Sequence, residues 1–245
     1  MQYNIKNKAS HLILNSFLII GILVFLTGCP TPPEFPDEPT IEFEDIQFRQ
    51  ETEQSPSGQP LNQDVISVTI NFEDGDGDLG LRSSEIEPPY QNFDIPLDEN
   101  GDLIFFGDSP DLPPYNFYDY LIVSDSLTIN GTVLSNDTLY VRFNERHFNI
   151  YISFFYKRPG DSDYRQFDWE REPRFYQSFH GRFPILNTES YERPLNGSLT
   201  YEMRSAGFRS IFRDYPMYLQ VYILDRAGNK SNTITTDPIR LIGSQ

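Results

Sequence analysis

The sequence is short of alanine, cysteine, histidine and positive charge. Alanine occurs only at Ala9, Ala206 and Ala227, so the best helix former is almost missing. Cysteine occurs once, at Cys29, and one cysteine cannot close a disulfide within the chain. Lysine and arginine number 19 against 36 aspartates and glutamates, a formal charge of −17 at pH 7. Nucleic-acid binding needs a basic footprint, and this balance argues against it. The acidity itself serves solubility. Beyond the first segment the histidines are His147 and His180, and neither stands in a His-Glu-x-x-His or comparable zinc spacing. There is no Gly-x-Ser-x-Gly elbow either. A pair of Asp or Glu side chains acting on a glycosidic bond stays open as an alternative, although no pair is singled out.

What the chain does have is aromatic residues (20 Phe, 15 Tyr) and 19 prolines, a balance that favours strands joined by many loops. From Ile41 onward a two-residue period dominates. Ile41 and Phe43, then Ile46 and Phe48, alternate with polar residues, and the phase slip at Glu44-Asp45 predicts a β-bulge. Ile66, Val68, Ile70 and Phe72 share one face, as do Phe148, Ile150, Ile152, Phe154 and Tyr156, and again Leu219, Val221 and Ile223. Half-buried antiparallel strands carry this pattern. Asn100-Gly101, Asn130-Gly131 and Asn196-Gly197 read as hairpin turns. Residues 84–120, rich in Pro, Asp and Tyr, read as a long insertion or a separate subdomain.

The N-terminus carries Lys6 and Lys8, then an apolar run from Leu12 to Phe25, then Leu26-Thr27-Gly28-Cys29. A basic start followed by an apolar core reads as a secretory signal, with an uncleaved membrane helix as the alternative. The last four residues resemble the lipobox of bacterial lipoproteins at every position. That resemblance implies acylation of Cys29, removal of residues 1–28 and attachment to a membrane. No cysteine then remains for a disulfide. Residues 29–40 form a Pro- and acid-rich tether, stiff because proline fixes φ and lacks a donor. Its acids (Glu34, Asp37, Glu38) resemble the export signal of Bacteroidetes surface lipoproteins, which implies the outer membrane and favours the cell surface over the periplasmic face. Asp125-Ser126-Leu127 and Asp137-Thr138-Leu139 are similar to the O-glycosylation sequon of exported proteins of that phylum.

The sharpest motif follows the clearest strand: Phe72-Glu73-Asp74-Gly75-Asp76-Gly77-Asp78-Leu79-Gly80. Three aspartates at alternate positions repel one another unless a cation or water separates them, and hard oxygen ligands of this kind suit Ca²⁺. On the EF-hand pattern Asp74, Asp76 and Asp78 fill the first, third and fifth positions. Gly80 would offer a backbone carbonyl and Glu85 would be the twelfth ligand, but Leu79 replaces the turn glycine. The reading is therefore a calcium-type loop on a β scaffold, against a plain solvated Asp-Gly turn.

The closing run Tyr218–Asn232, with Asp225-Arg226-Ala227-Gly228-Asn229-Lys230-Ser231, resembles the last hairpin of bacterial Ig-like and fibronectin-like modules. Together with the lipobox and the aspartate loop, the chain resembles Bacteroidetes outer-membrane lipoproteins with such a domain. The resemblance implies an all-β, Ig-like antiparallel β-sandwich over residues 41–243, enlarged by insertions. In that fold the loops after the second and sixth strands leave at one end, which would bring Asp225 to the aspartate loop as a further ligand. Turn chemistry alone is the alternative for Asp225 and Asn229.

The segment 167–183 interleaves aromatics with arginines. Trp169, Arg174, Tyr176 and Arg182 are candidate partner contacts, or else a cover for the core. The functional expectation is a non-enzymatic binding or structural module of the cell envelope, stabilised by Ca²⁺, with an envelope protein or glycan as partner. The alternative is a carbohydrate-active enzyme using paired carboxylates.

Overall fold

The computed structural model describes residues 34–54, 57–129, 131–187 and 193–242. The expected signal peptide and lipobox, with Cys29, lie outside these residues. In chain order the strands are β1 (Thr40–Gln54), β2 (Pro60–Asp74), β3 (Phe93–Asp94), β4 (Tyr120–Val123), β5 (Leu127–Ile129), β6 (Thr132–Leu134) and β7 (Asp137–Tyr140). Then come β8 (Arg142–Phe143), β9 (Ile150–Tyr156), β10 (Arg165–Phe167), β11 (Leu195–Ser205), β12 (Met217–Ile223) and β13 (Ile234–Thr235). Among the described residues the only helix is α1 (Phe208–Phe212), between β11 and β12.

Two antiparallel sheets make the body, a three-stranded one ordered β1-β2-β11 and a four-stranded one ordered β10-β9-β12-β13. Their inner faces carry the alternating apolar residues: Ile66, Val68 and Ile70 from β2, Ile150, Ile152 and Phe154 from β9, Leu219, Val221 and Ile223 from β12. Each of these side chains gains roughly 1.5–3 kcal/mol by leaving water. The result is the all-β sandwich that the two-residue period predicts. The bulge is there too, with the register slipping between Phe43 and Asp45. At that point Asp45 Oδ1 accepts the Ile46 N–H, which occupies a donor on the outer edge of β1.

On the outer face, Arg49 and Arg204 both lie opposite Val65 and pair with Glu202 and Glu51 across the sheet. Their stems help explain why Val65 is buried on the face that should be wet. The chain between β2 and β9 holds three small ladders, β3–β8, β4–β7 and β5–β6. They wrap a satellite core of Val123, Leu134, Leu139 and Val141. The insertion is thus longer than the composition of residues 84–120 suggests, yet it belongs to the same compact unit as the sandwich.

The Asn-Gly signals divide. Gly101 and Gly131 sit at positive φ between paired segments, as hairpins require (Asn130 lies outside the described residues). Asn196-Gly197 is no turn: both residues are inside β11, opposite Glu73 and Phe72. The Phe72 ring explains the glycine, because a Cβ on Gly197 would lie 3.2 Å from it.

Candidate metal centre

The phase of β2 puts Asp74 on the inner face with Ile70 and Phe72, so its carboxylate is driven into the end of the core. The chain must then turn sharply while other backbones cross it. A Cβ on Gly75 would meet the Phe35 and Pro36 carbonyls at 2.3 and 2.6 Å; one on Gly77 would meet the Arg193 carbonyl at 2.0 Å. Gly80 lies as close to Pro184 and Ile185. The Gly75 N–H donates to Pro36 O (2.8 Å), so the proline-rich segment before β1 is pinned to the loop. Leu79, which breaks the EF-hand pattern, is fully buried in the main core and anchors the loop by burial in place of the turn glycine.

One carboxylate oxygen from each of Asp74, Asp76 and Asp78 lies within 4.8 Å of the others. Two ligands of one ion can be no further apart than twice the bond, about 4.6–5.2 Å for calcium. The three therefore fit around a single ion. The Asp78 N–H donates to Asp74 Oδ2 (3.0 Å), while Asp74 Oδ1 is buried with no hydrogen-bond partner. An orphaned carboxylate oxygen in a buried site is costly unless something positive meets it. Burial, then the charges of Asp76, Asp78 and Asp225, pushes the Asp74 carboxyl up to about 7. Burial and Asp225 push Asp78 up to about 6, against the backbone N–H groups of Arg226 and Ala227, and burial also raises Asp76. Each shift records a charged form short of compensation, and a divalent cation would supply it while displacing the protons.

The two loops do converge. Asp78 accepts the N–H groups of Arg226 (3.2 Å) and Ala227 (3.1 Å). Asp225, however, is not drawn into the cluster as a ligand. Its oxygens take the N–H groups of Gly228 and Asn229 and the Asn229 side-chain amide, at 2.6, 2.7 and 2.7 Å. Turn chemistry accounts for this residue, and to the aspartates it contributes only a like charge.

Glu85 also departs from its expected role. Both its oxygens are bound by the Arg226 guanidinium, at 2.5 and 3.0 Å, and Oε2 accepts the Arg82 N–H as well. That pairing holds the Glu85 carboxyl down at about 2. The Gly80 carbonyl, the other expected ligand, accepts from the same guanidinium at 3.2 Å. Arg226 is the residue that the pattern missed; only its place beside Asp225 in the facing turn signals it.

Of the candidate partner contacts, two turn inward. Trp169 is 3% exposed and packs against Phe154, Phe179, Phe208 and Phe212. Arg182 donates to the backbone carbonyls of Arg82, Glu85, Tyr90 and His147, stapling the start of the insertion to the sandwich. Arg174 is exposed, with Nε on Glu172 at 2.7 Å. Tyr176 is half-buried at φ +42°, its ring edge-on to Phe117. In the sequon-like stretches Ser126 is exposed, whereas Thr138 lies within β7. Comparison with protein-family models, with curated proteins and with solved structures finds no match.

Proposed function

We propose that this chain is a calcium-stabilised, lipid-anchored module of the cell envelope that binds another envelope component instead of catalysing a reaction. One observation carries the reading. The end of the tether, the loop after β2 and the turn after β12 meet at three aspartates, one of which buries an oxygen with no donor. An ion at that point would neutralise the cluster and fix how the domain is presented on its tether. With one cysteine the chain closes no internal disulfide, and such a clamp would tie the three segments together in its place. Calcium suits the site better than magnesium, which demands a near-ideal octahedron and keeps several waters. The lipobox at Cys29 supports the anchor.

The test is the melting of the full-length protein in chelator, in Ca²⁺ and in Mg²⁺. Melting should rise with Ca²⁺ more than with Mg²⁺; identical curves in chelator and calcium would remove the ion from the proposal. Mass spectrometry should find an acylated Cys29 at the mature N-terminus, and an intact Met1 would remove the anchor. Crosslinking in native membranes should then capture an envelope partner.

A further inference from the structure

We infer that the cleft between Arg158, Arg174 and Arg213 is a binding site for an acidic saccharide. The cleft is a surface cavity of about 280 Å³, walled by Phe167 and Tyr215, with Ser210 at its side. On a chain of net charge −17, its charged lining is three arginines and no acid. That inversion of the overall charge is local and specific.

The three guanidinium groups keep donors for a ligand. Arg158 bonds the Tyr156 hydroxyl (2.9 Å) and lies over that ring, but forms no ion pair among the described residues. Arg174 gives Nε to Glu172, which leaves its two terminal nitrogens. Arg213 is exposed and makes neither an ion pair nor a side-chain hydrogen bond among the described residues. It also sits at φ +51°, a costly conformation for a long side chain, at the rim of this cavity. Planar guanidinium forks match carboxylate and phosphate oxygens in pairs, which lysines would not.

The neighbouring space narrows the ligand class. A second cavity, of about 340 Å³, shares Arg158, Phe167 and Arg174 and adds Tyr156, Arg171 and the acids Asp168 and Glu172. Each cavity is near the lower size limit of small-molecule sites. One compartment suits an oxyanion beside an aromatic wall. The other, lined by both donors and acceptors, suits hydroxyl groups on a ring. A saccharide bearing a uronate carboxylate or a phosphate ester has both parts. This inference gives the binding module proposed above its ligand class and rests on that reading.

Titration calorimetry on the full-length protein in detergent micelles decides it. The probes are trigalacturonate, glucose 6-phosphate, neutral maltotriose and glucose, and a hexaglutamate peptide. Both acidic saccharides should bind about tenfold or more tightly than their neutral counterparts, and the tighter of the two identifies carboxylate or phosphate as the preferred anion. R158A/R213A should weaken that binding by about tenfold or more at unchanged melting temperature. If that variant melts early, R158K/R213K replaces it, and it should still weaken binding because the planar fork is lost. No preference for acidic over neutral saccharides, or undiminished binding by the variants, overturns the site. Hexaglutamate binding as tightly as the saccharides overturns the ligand class. Neither result touches the crosslinking test of a membrane partner, so the two proposals fail separately.

Discussion

Asp74 and Asp225 are both buried aspartates at the same end of the sandwich, each beginning a glycine-containing turn. Their surroundings differ in one respect. Asp225 spends both oxygens on its own turn, whereas Asp74 receives one N–H on Oδ2 and nothing on Oδ1. Burial alone therefore does not make a candidate ligand; Asp74 qualifies through an oxygen left without a donor beside the carboxylates of Asp76 and Asp78, the latter of which also accepts two N–H groups. Asp64 fits the same rule, being buried but bound by Arg209 through its backbone and side chain, so that no role beyond structure is needed.

The largest expected difference between the two loops concerns their glycines. Gly77 and Gly228 both have positive φ, but a Cβ on Gly77 would strike the Arg193 carbonyl at 2.0 Å, while one on Gly228 would meet the Arg146 side chain at 3.4 Å. Gly77→Ala should cost about 3–5 kcal/mol and Gly228→Ala about 1–2 kcal/mol in urea unfolding. Equal costs would show that the crossing of backbones over the aspartate loop is not tight.

Calcium separates the loops next. Saturating Ca²⁺ should stabilise the wild type by roughly 2.7 kcal/mol at a hundredfold excess over Kd. Asp74→Asn should abolish that response. Asp225→Ala should lose about 1–3 kcal/mol through its unsatisfied turn, equally in chelator and in calcium. A calcium response lost in Asp225→Ala but kept in Asp74→Asn would reverse the comparison.

The smallest effect is the ion pair that ties the two loops together. Glu85 is depressed to about 2 by Arg226, so its contribution is fully present above the ordinary glutamate range near pH 4.5 and is lost as the pH falls towards 2. Glu85→Gln should lower stability by about 1–2 kcal/mol at pH 7 and flatten the acid limb between those values. An unchanged acid limb would mean that Arg226 holds the loops by its backbone alone.

The sandwich was legible because its signal is local. Side chains alternate along a strand, so Ile66, Val68 and Ile70 declare their shared face before any partner is known, and the slip at Glu44-Asp45 declares the bulge. The aspartate loop was legible in its three carboxylates and its glycines. Glu85 was misread because a ligand pattern counts residues along one loop. Its actual partner, Arg226, arrives from a turn 141 residues away. Trp169 and Arg182 were left between two readings for a related reason: aromatics interleaved with arginines look alike whether they cover a core or face a partner.

Composition and periodicity by themselves determined the all-β class, the strand faces and the place where acidic charge gathers, since each depends on spacing within a few residues. Tertiary packing alone decided which buried polar groups found partners. It sent Arg226 to Glu85, closed the Asp225 turn on itself, threaded Pro36 over Gly75 and left one oxygen of Asp74 without a donor. Hydrogen bonds and charges are satisfied through space, by whatever group the fold brings within about 3 Å, and distance along the chain carries no record of that.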